Sequence, residues 1–270
     1  MSELFKEDLL SIVRKKRFIV LAALAFIGVI AATIVTRNGQ WNDLTYFLMI
    51  QKYINFVFGP VIGIALIISV YRRKYTKNSI LQVEEKGAKR PLGVISKALA
   101  GSFIIVCSYA CLALIVILLG FVLGAHNSGA QIGHLLLRVL IDCFASIATY
   151  MTALFWLYVF AFPIVPVIMV IIEAFAVPYA FYSLDIYASP AYKIATYLAV
   201  KANTDSIYTN LVLKDVHIAN IGIYVLHLII PFLFAMLVFK LKKIKQKKNK
   251  KNKNNEENEQ ITETSEPDAS

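Results

Sequence analysis

Apolar residues occur along this chain in long blocks separated by short polar segments. The blocks cover residues 18–36, 54–71, 99–124, 143–182 and 217–239. A helix needs about 20 mostly apolar residues to cross a hydrocarbon core of about 30 Å. Each block is therefore predicted to span a membrane as a helix, and the fourth block, with 40 residues, is long enough for two spans.

Two prolines divide the fourth block. Pro163 and Pro166 lie near its middle, and a proline inside a helix removes a hydrogen bond and clashes with the preceding turn. The pattern predicts spans at 143–162 and 163–182 joined by a tight turn, which makes six spans and puts both termini on one side of the membrane. If the prolines only kinked one long helix, five spans would place the termini on opposite sides.

The positions of the basic residues decide between these two topologies. Of the 28 lysines and arginines, 22 fall in residues 1–17, 72–99 and 240–270, and six fall in the segments 37–53, 125–142 and 183–216. Loops that stay in the cytoplasm are enriched in lysine and arginine. The sequence thus predicts six spans in the cell membrane, with both termini and the 72–99 loop in the cytoplasm.

The composition agrees with a membrane protein. The chain has 270 residues, of which 58% are hydrophobic and 17% charged, whereas about 45–50% of a soluble domain is apolar. The net charge of +11 follows the predicted topology and does not indicate nucleic acid as a partner. Cys107, Cys111 and Cys143 lie in or beside apolar blocks, which argues against a disulfide framework and a zinc site. The predicted fold class is an all-α polytopic membrane protein.

Two segments flank the predicted six-helix domain of residues 18–239. In residues 1–17, Phe5, Leu9, Ile12 and Val13 recur at helical spacing among charged residues. This pattern predicts a cytoplasmic amphipathic helix in the headgroup plane, with an ordinary juxtamembrane start as the alternative. Residues 240–270 are first basic and then acidic, so a disordered cytoplasmic tail is expected. Its lysines suit either anionic membrane lipid or a stop-transfer flank.

The loop after the second span carries a spaced set of residues. It reads Asn78-Ser79-Ile80, then Gly87 and Arg90, and ends with Ser96-Lys97 just before the third span. This set resembles the signature of ABC-2 type permeases, the membrane subunits of ABC exporters, especially a Gram-positive bacterial subset. There a Gly-Thr-Ile-like start is followed by a glycine, an arginine three residues later and a Ser-Lys pair at the membrane. Asn78 and Ser79 depart from that pattern, and the other five positions match it.

The resemblance implies a subunit that works with partners. Permeases of this family pair with a second copy or a homologue, and a short helix of the loop docks on a separate ATPase. Here that helix would lie within 78–85, with Ile80, Leu81 and Val83 as apolar contacts and Gly87 as its end. The cations available to pair with acidic groups or lipid phosphate would be Lys89, Arg90 and Lys97.

The chain contains no motif that would bind ATP, so ATP is expected on a partner subunit. No G-x-x-x-x-G-K-[ST] motif occurs in the chain, so this chain is not expected to be an enzyme or to hold a cofactor, and a P-loop ATPase partner is required. A pathway with so few charges suits export of an apolar or amphipathic substrate, such as a drug, a lipid or a peptide.

Charged residues inside or beside the apolar blocks are candidates for a substrate pathway. Glu173 lies alone in the predicted fifth span, where a carboxylate usually faces a bundle interior or a wet cavity. A neutral glutamic acid bonded to a neighbouring helix is the alternative.

Arg138 and Asp142 are four residues apart at the outer end of the predicted fourth span and are expected to form a structural ion pair. The histidines lack partners at ligand spacing, so no metal site is predicted.

The sequence leaves two other classes of protein as alternatives, and it leaves a loop that only sets topology as the alternative to a docking loop. Glu84-Glu85 resembles the paired glutamates of intramembrane CAAX-type proteases, but Lys89 stands where an arginine is needed and the pair lies in a polar loop. A non-catalytic membrane-organising helical bundle of the Yip type is the second class. A loop that only sets topology is the alternative to docking, and the Gly-Arg-Ser-Lys spacing favours docking.

Overall fold

The computed structural model describes residues 2–37, 50, 54–70, 83, 87, 89–122, 124, 129–160, 162, 164–172 and 218–241. These residues are helical apart from a few turn and cap positions, which confirms the all-α fold class. The predicted tail beyond residue 241 and the segment 183–216 lie outside the described residues.

The described residues form seven α-helices. In chain order they are α1 (Ser2–Val13), α2 (Lys16–Arg37), α3 (Gly59–Val70), α4 (Arg90–Val122), α5 (Gly129–Phe160), α6 (Ile164–Ile171) and α7 (Ile218–Leu241). A π-helical turn, Ile54–Phe58, leads into α3. Pro60 in the first turn of α3 has no N–H to donate, so the regular α-helical bonding pattern cannot continue through this point.

Three of the described helices are long and apolar enough to cross a membrane. The spans are Lys16–Val35, Arg90–Val122 and Ile132–Phe160, and two shorter apolar helices are Gly59–Val70 and Val225–Leu241. Large apolar side chains, among them Leu114 and Leu118, are exposed on the outside of the bundle. An apolar exterior is what a hydrocarbon environment requires, so the helices support a membrane protein.

Local sequence explains where α4 and α5 end. Gly124 follows α4 with φ +76°, and its N–H bonds to the Phe121 carbonyl at 3.0 Å. Glycine adopts such a left-handed cap at little steric cost. α5 stops at Phe160, ahead of Pro163, and α6 begins at Ile164. Ala153 of α5 and Val170 of α6 pack in one cluster, so the chain reverses direction between the two helices, as the prolines predict.

Side-chain contacts show that the first helices alternate in direction. Lys15, just ahead of α2, donates a hydrogen bond to the Ser69 carbonyl near the end of α3. Phe26 of α2 packs edge-on against Phe58, just ahead of α3, with ring centroids 5.1 Å apart. Because the start of α2 meets the end of α3, the two helices are antiparallel.

The later helices continue this alternation. Tyr150 of α5 bonds to the Lys97 carbonyl near the start of α4, so α4 and α5 are antiparallel. Leu228 of α7 packs beside Ala145 and Ala148, and Phe239 packs on Tyr158, so α7 runs parallel to α5. The end of α3, the start of α4 and the C-terminal parts of α5 and α7 therefore lie at the same end of the bundle as α1. We call it the α1 end.

Three helix boundaries differ from the predicted ones. α1 ends at Val13 and α2 begins at Lys16, whereas the amphipathic segment was expected to reach residue 17. α4 begins at Arg90 and α5 at Gly129, ahead of the expected starts at 99 and 143. Each helix includes charged residues ahead of its apolar block: Lys97 in α4 is paired with Asp8, and Arg138 in α5 is paired with Asp142.

Candidate functional site

Six of the loop residues named above fall inside the described structure: Val83, Gly87, Lys89, Arg90, Ser96 and Lys97. Gly87 has φ +65°, the left-handed conformation expected of a glycine that ends a helix. Arg90 is the first residue of α4, and Ser96 and Lys97 lie in its second turn. Outside the described residues lie Asn78, Ser79, Ile80, Leu81 and Glu173. The docking helix and the fifth-span carboxylate therefore stay predictions.

Ser96 and Lys97 both bind the carboxylate of Asp8 in α1. Ser96 Oγ donates to Asp8 Oδ2 at 2.6 Å, and Lys97 Nζ donates to Asp8 Oδ1 at 2.8 Å. The side chains of Lys97 and Asp8 are 11% and 19% exposed. A hydrogen bond to a charged group contributes about 1.5–3 kcal/mol when it is shielded from water. Two such bonds attach α1 to the start of α4.

These bonds give the Ser-Lys pair an acidic partner in the same chain. The pair was expected just before the third span, with Lys97 available to pair with acidic groups or lipid phosphate. In the structure both residues are part of α4 and are buried, and the acidic group is the carboxylate of Asp8. The resemblance pointed to the pair but carried no information about this partner.

α1 is attached to both helices that flank the 71–89 loop. At its C-terminal side, Lys15 Nζ donates to the Ser69 carbonyl in the last turn of α3, and Asp8 holds the second turn of α4. Between these contacts Ile12 is buried. α1 and the turn that follows it therefore bridge the points where the loop leaves α3 and joins α4. We call these contacts the α1 clamp; it consists of Asp8, Lys15, Ser69, Ser96 and Lys97.

The apolar face of α1 packs on protein. Phe5 contacts Phe103 of α4 edge-on, with ring centroids 6.2 Å apart, and Ile12 is buried in the bundle. A helix in the N-terminal segment is therefore confirmed, and its place in the headgroup plane stays a prediction. Its apolar side is covered at least in part by the chain itself rather than by lipid alone.

Val83 packs against the first turn of α4. The residue is buried, and a Cβ on Gly93 would lie 2.6 Å from Val83 Cγ2. Only glycine leaves room for the valine at this distance. Val83 therefore belongs to the bundle and does not face a partner. Of the three apolar residues expected to contact an ATPase, Ile80 and Leu81 remain.

A second polar cluster lies inside the bundle. Arg138 Nε is 3.3 Å from Asp142 Oδ1 and 3.4 Å from Oδ2, and the two side chains are 4% and 1% exposed. The ion pair, predicted from its spacing, is present, and its place relative to the membrane surface stays a prediction. It lies within the span Ile132–Phe160. At 1.5 Å per residue, Arg138 lies about 9 Å and Asp142 about 15 Å along the helix from Ile132, where the span begins at the end opposite the α1 end.

Polar groups continue along α5 from this pair toward the α1 end. Ser146 and Tyr150 follow Asp142 at intervals of four residues, so all of them lie on one row of the helix surface. Ser146 Oγ and the Tyr109 hydroxyl of α4 are 2.7 Å apart. A Cβ on Gly59 would lie 2.9 Å from both oxygens, so this glycine allows α3 to approach them closely. The row runs from the ion pair to Tyr150, whose hydroxyl bonds to the carbonyl of Lys97, a residue of the α1 clamp.

Sequence reasoning missed several residues of these sites, among them Asp8, Lys15 and Tyr150. Asp8 shares the apolar face of α1 with Phe5, Leu9 and Ile12, and a carboxylate on such a face indicates a specific partner because its burial alone is unfavourable. That signal was available in the sequence. Lys15 and Tyr150 bind backbone carbonyls, which leave no trace in the sequence.

No known protein family matches this sequence, and a comparison with curated proteins finds no match. Among the residues that the structure describes, no three His, Cys, Asp or Glu side chains are placed to hold a metal ion together. The described residues are helical, and three of their helices are long and apolar enough to cross a membrane, which supports a membrane protein.

Proposed function

We propose that this chain is the permease subunit of an ATP-driven exporter of the ABC-2 type. It forms a dimer with a second copy or a homologue, binds a separate P-loop ATPase subunit, and moves an apolar or amphipathic substrate outward across the cell membrane. The ATP is bound by the ATPase subunit, and this chain carries out no catalysis. Six spans place both termini in the cytoplasm, and Glu173 is a predicted pathway residue.

The α1 clamp is the observation that carries this proposal. A loop that only sets topology has no need of a rigid connection between the helices on its two sides. Here α1 is bonded to the start of α4 through Asp8, and Lys15, in the turn between α1 and α2, is bonded to the end of α3. A displacement of the loop is therefore passed to three helices together, as transmission of a movement from an ATPase to a membrane domain requires.

The length of α4 adds to this argument. Its 33 residues correspond to about 50 Å at 1.5 Å per residue, whereas the hydrocarbon core is about 30 Å thick. Its first turns therefore extend beyond the core on the side of the loop. A continuous helix of this kind carries a movement at Arg90 into the interior of the bundle without a hinge.

The charge distribution supports a cytoplasmic α1 end. The predicted cytoplasmic segments 1–17, 72–99 and 240–270 hold 22 of the 28 lysines and arginines. The structure strengthens the asymmetry, because Arg138, counted with the opposite loops, lies inside the bundle. A cytoplasmic α1 end is where a soluble ATPase subunit is accessible to the loop.

Co-purification of an ATPase with the full-length chain tests the proposal. The unmodified chain, solubilised from its own cells, should bring down a P-loop ATPase whose hydrolysis responds to transported substrate. Leu81→Asp and Arg90→Glu should lower ATPase recovery by about tenfold or more, because a charge left unpaired in an interface costs several kcal/mol. Arg17→Glu, a charge reversal at an exposed position of the same end, is the matched control and should retain the ATPase.

Two outcomes would contradict the proposal. If no P-loop ATPase accompanies the unmodified chain, the membrane-organising bundle becomes the better assignment. If Leu81→Asp and Arg90→Glu retain a fully coupled ATPase, the loop serves topology alone.

A further inference from the structure

We infer that the turn between α1 and α2 binds the phosphate group of an anionic phospholipid in the membrane leaflet at the α1 end. The residues that bind it are Arg14, Lys16 and Arg17, which we call the basic turn. All three are exposed, whereas Lys15 between them donates a hydrogen bond to the Ser69 carbonyl. The inference adds a lipid ligand and does not depend on the proposed export function.

The positive charge of the basic turn is not neutralised by the described part of the chain. None of its three side chains forms an ion pair or a hydrogen bond there. Asp8 of α1 is bonded to Ser96 and Lys97, and the first turn of α2 contains no acidic residue. The three cations therefore require an anion that this part of the chain does not supply.

The N-terminal end of α2 adds to this positive charge. The Lys15 carbonyl accepts a hydrogen bond from the Ile19 N–H at 3.2 Å, which makes Lys15 the N-cap of the helix. A lysine side chain has no acceptor atom, so it cannot cap the free N–H groups of the first turn. Anionic groups are favourable at this end of a helix and cations are unfavourable. An anion bound to the basic turn therefore relieves an unfavourable concentration of positive charge.

The basic turn also lies at the depth of the phosphate groups of a bilayer. The first apolar span begins at Lys16, so the turn is at one boundary of the hydrocarbon region, where groups of cations attract anionic headgroups. Cations that only set topology are effective anywhere within about 15–20 residues of a span. Topology alone therefore does not require exposed cations at the boundary itself.

A row of exposed apolar side chains extends along α2 from the basic turn. Val20, Leu24 and Ile27 follow Arg17 at intervals of three, four and three residues, so all four lie on one face of the helix. The three apolar residues are 57%, 56% and 59% exposed. Arg17 and Ile27 are about 15 Å apart along the helix, which is half of a hydrocarbon core of about 30 Å. The row therefore has the length of one acyl chain whose phosphate contacts the basic turn.

The exposed face of α1 has the same combination of side chains. Leu10 is exposed and lies three and four residues before Val13 and Arg14, which are also exposed, so the three residues share one face of the helix. Ile12, which is buried, lies on the other side. Both helices thus place a cation beside exposed apolar surface. This arrangement favours an amphiphile with an anionic headgroup over a free inorganic anion.

Titration of the purified, delipidated full-length chain in an uncharged maltoside detergent tests the inference. Binding is followed by the rise in unfolding temperature. The probes are dioleoylphosphatidylglycerol, which is anionic, dioleoylphosphatidylcholine, which is zwitterionic with the same acyl chains, and glycerophosphate, the anion without acyl chains. The unmodified chain should bind the anionic lipid about tenfold or more tightly than either of the others. The preference for it should fall to about twofold or less in about 1 M NaCl, because salt screens charges at a surface.

Variants of the basic turn separate a lipid site from a general effect of positive charge. Arg14→Gln and Arg17→Gln should each weaken binding of the anionic lipid about fivefold, and the double variant should weaken it about tenfold or more. The double variant Lys89→Gln with Lys240→Gln is the matched control. It removes two exposed cations outside the basic turn and should change the affinity by less than about twofold. Arg14→Lys with Arg17→Lys keeps both charges and should keep the preference for the anionic lipid.

The outcomes that overturn the inference are distinct. It is wrong if the two lipids bind equally, or if the Arg14→Gln, Arg17→Gln variant keeps the preference of the unmodified chain. Equal binding of glycerophosphate would replace the lipid by a small anion. If the two lipids bind equally and Arg17→Glu loses the ATPase in the co-purification experiment, the basic turn contacts an acidic protein surface instead. If the double variant does not fold, Arg17→Gln alone decides. The titration contains no ATPase, so its result is independent of the proposed function.

Discussion

The hydroxyl of Tyr150 in α5 donates a hydrogen bond to the backbone carbonyl of Lys97 in α4, at 3.0 Å. The ammonium group of the same lysine binds Asp8 in α1. Three helices therefore meet at one residue. Because Tyr150 also ends the polar row that begins at Arg138, Lys97 is the point where the α1 clamp and the helix with the buried ion pair are in contact.

Asp8→Asn should lower the stability of the fold. The substitution keeps the shape of the side chain but removes the charge that binds Ser96 and Lys97, and the loss should be about 1–3 kcal/mol. Thermal unfolding of the purified protein in detergent measures it. Glu3→Gln, at an exposed position of the same helix, is the control. Equal unfolding temperatures for the two variants would show that the clamp does not contribute to stability.

Gly101→Ala should displace Tyr150. A Cβ at position 101 would lie 2.3 Å from two carbons of the tyrosine ring, and overpacking of this kind costs about 1–3 kcal/mol. Gly28→Ala, at a helical glycine with nothing within 4 Å of the added Cβ, should be neutral or stabilising by up to about 1 kcal/mol. A comparison of the two unfolding temperatures checks this. A result in which both alanines are tolerated equally would contradict the close contact between α4 and α5.

Tyr109→Phe and Ser146→Ala should not be additive. Each removes one partner of the 2.7 Å contact between α4 and α5, and polar side-chain bonds between membrane helices contribute about 0.6 kcal/mol on average and up to about 1.7 kcal/mol. A double-mutant cycle on the free energy of unfolding measures the coupling. Full additivity would mean that the two hydroxyl groups do not interact in the membrane.

Single cysteines should report the proposed topology. In a background without Cys107, Cys111 and Cys143, cysteines at Asn42 and Asn203 should react with an impermeant reagent in intact cells, and one at Asn249 should not. The physical reason is the asymmetry of basic residues, which keeps lysine-rich segments in the cytoplasm. Labelling at position 249 from outside would exclude six spans with cytoplasmic termini.

The sequence predicted the presence of the helices correctly, but it did not predict the residues at which α4 and α5 begin. Continuous apolar blocks and Pro163 predict α2, α4, α5 and the break after Phe160, because burial in a membrane depends on composition over a whole turn. The starts of α4 and α5 were missed because a hydropathy pattern treats Lys97 and Arg138 as polar whatever lies next to them. Whether a charge is neutralised depends on its partner in space.

The clamp shows the same limit for the candidate site. The loop motif identified Ser96 and Lys97, but their partner lies 88 and 89 residues away along the chain. No local periodicity encodes a contact at that separation. The i, i+4 spacing of Arg138 and Asp142, in contrast, was sufficient to predict that they pair, because both residues lie on the same helix.

The 88 residues between Asp8 and Ser96 also determine an order of events during biosynthesis. At about 5–20 residues per second, Asp8 leaves the ribosome about 4–18 s before Ser96 does. During this interval α1, with exposed Leu10 and Val13 on its surface, has only the membrane surface and the first hydrophobic segments as neighbours. A nascent chain whose α4 is inserted in the wrong register leaves an unpaired carboxylate on the apolar face of α1. The bonds of Asp8 to Ser96 and Lys97 therefore form only after α4 is inserted in its correct register.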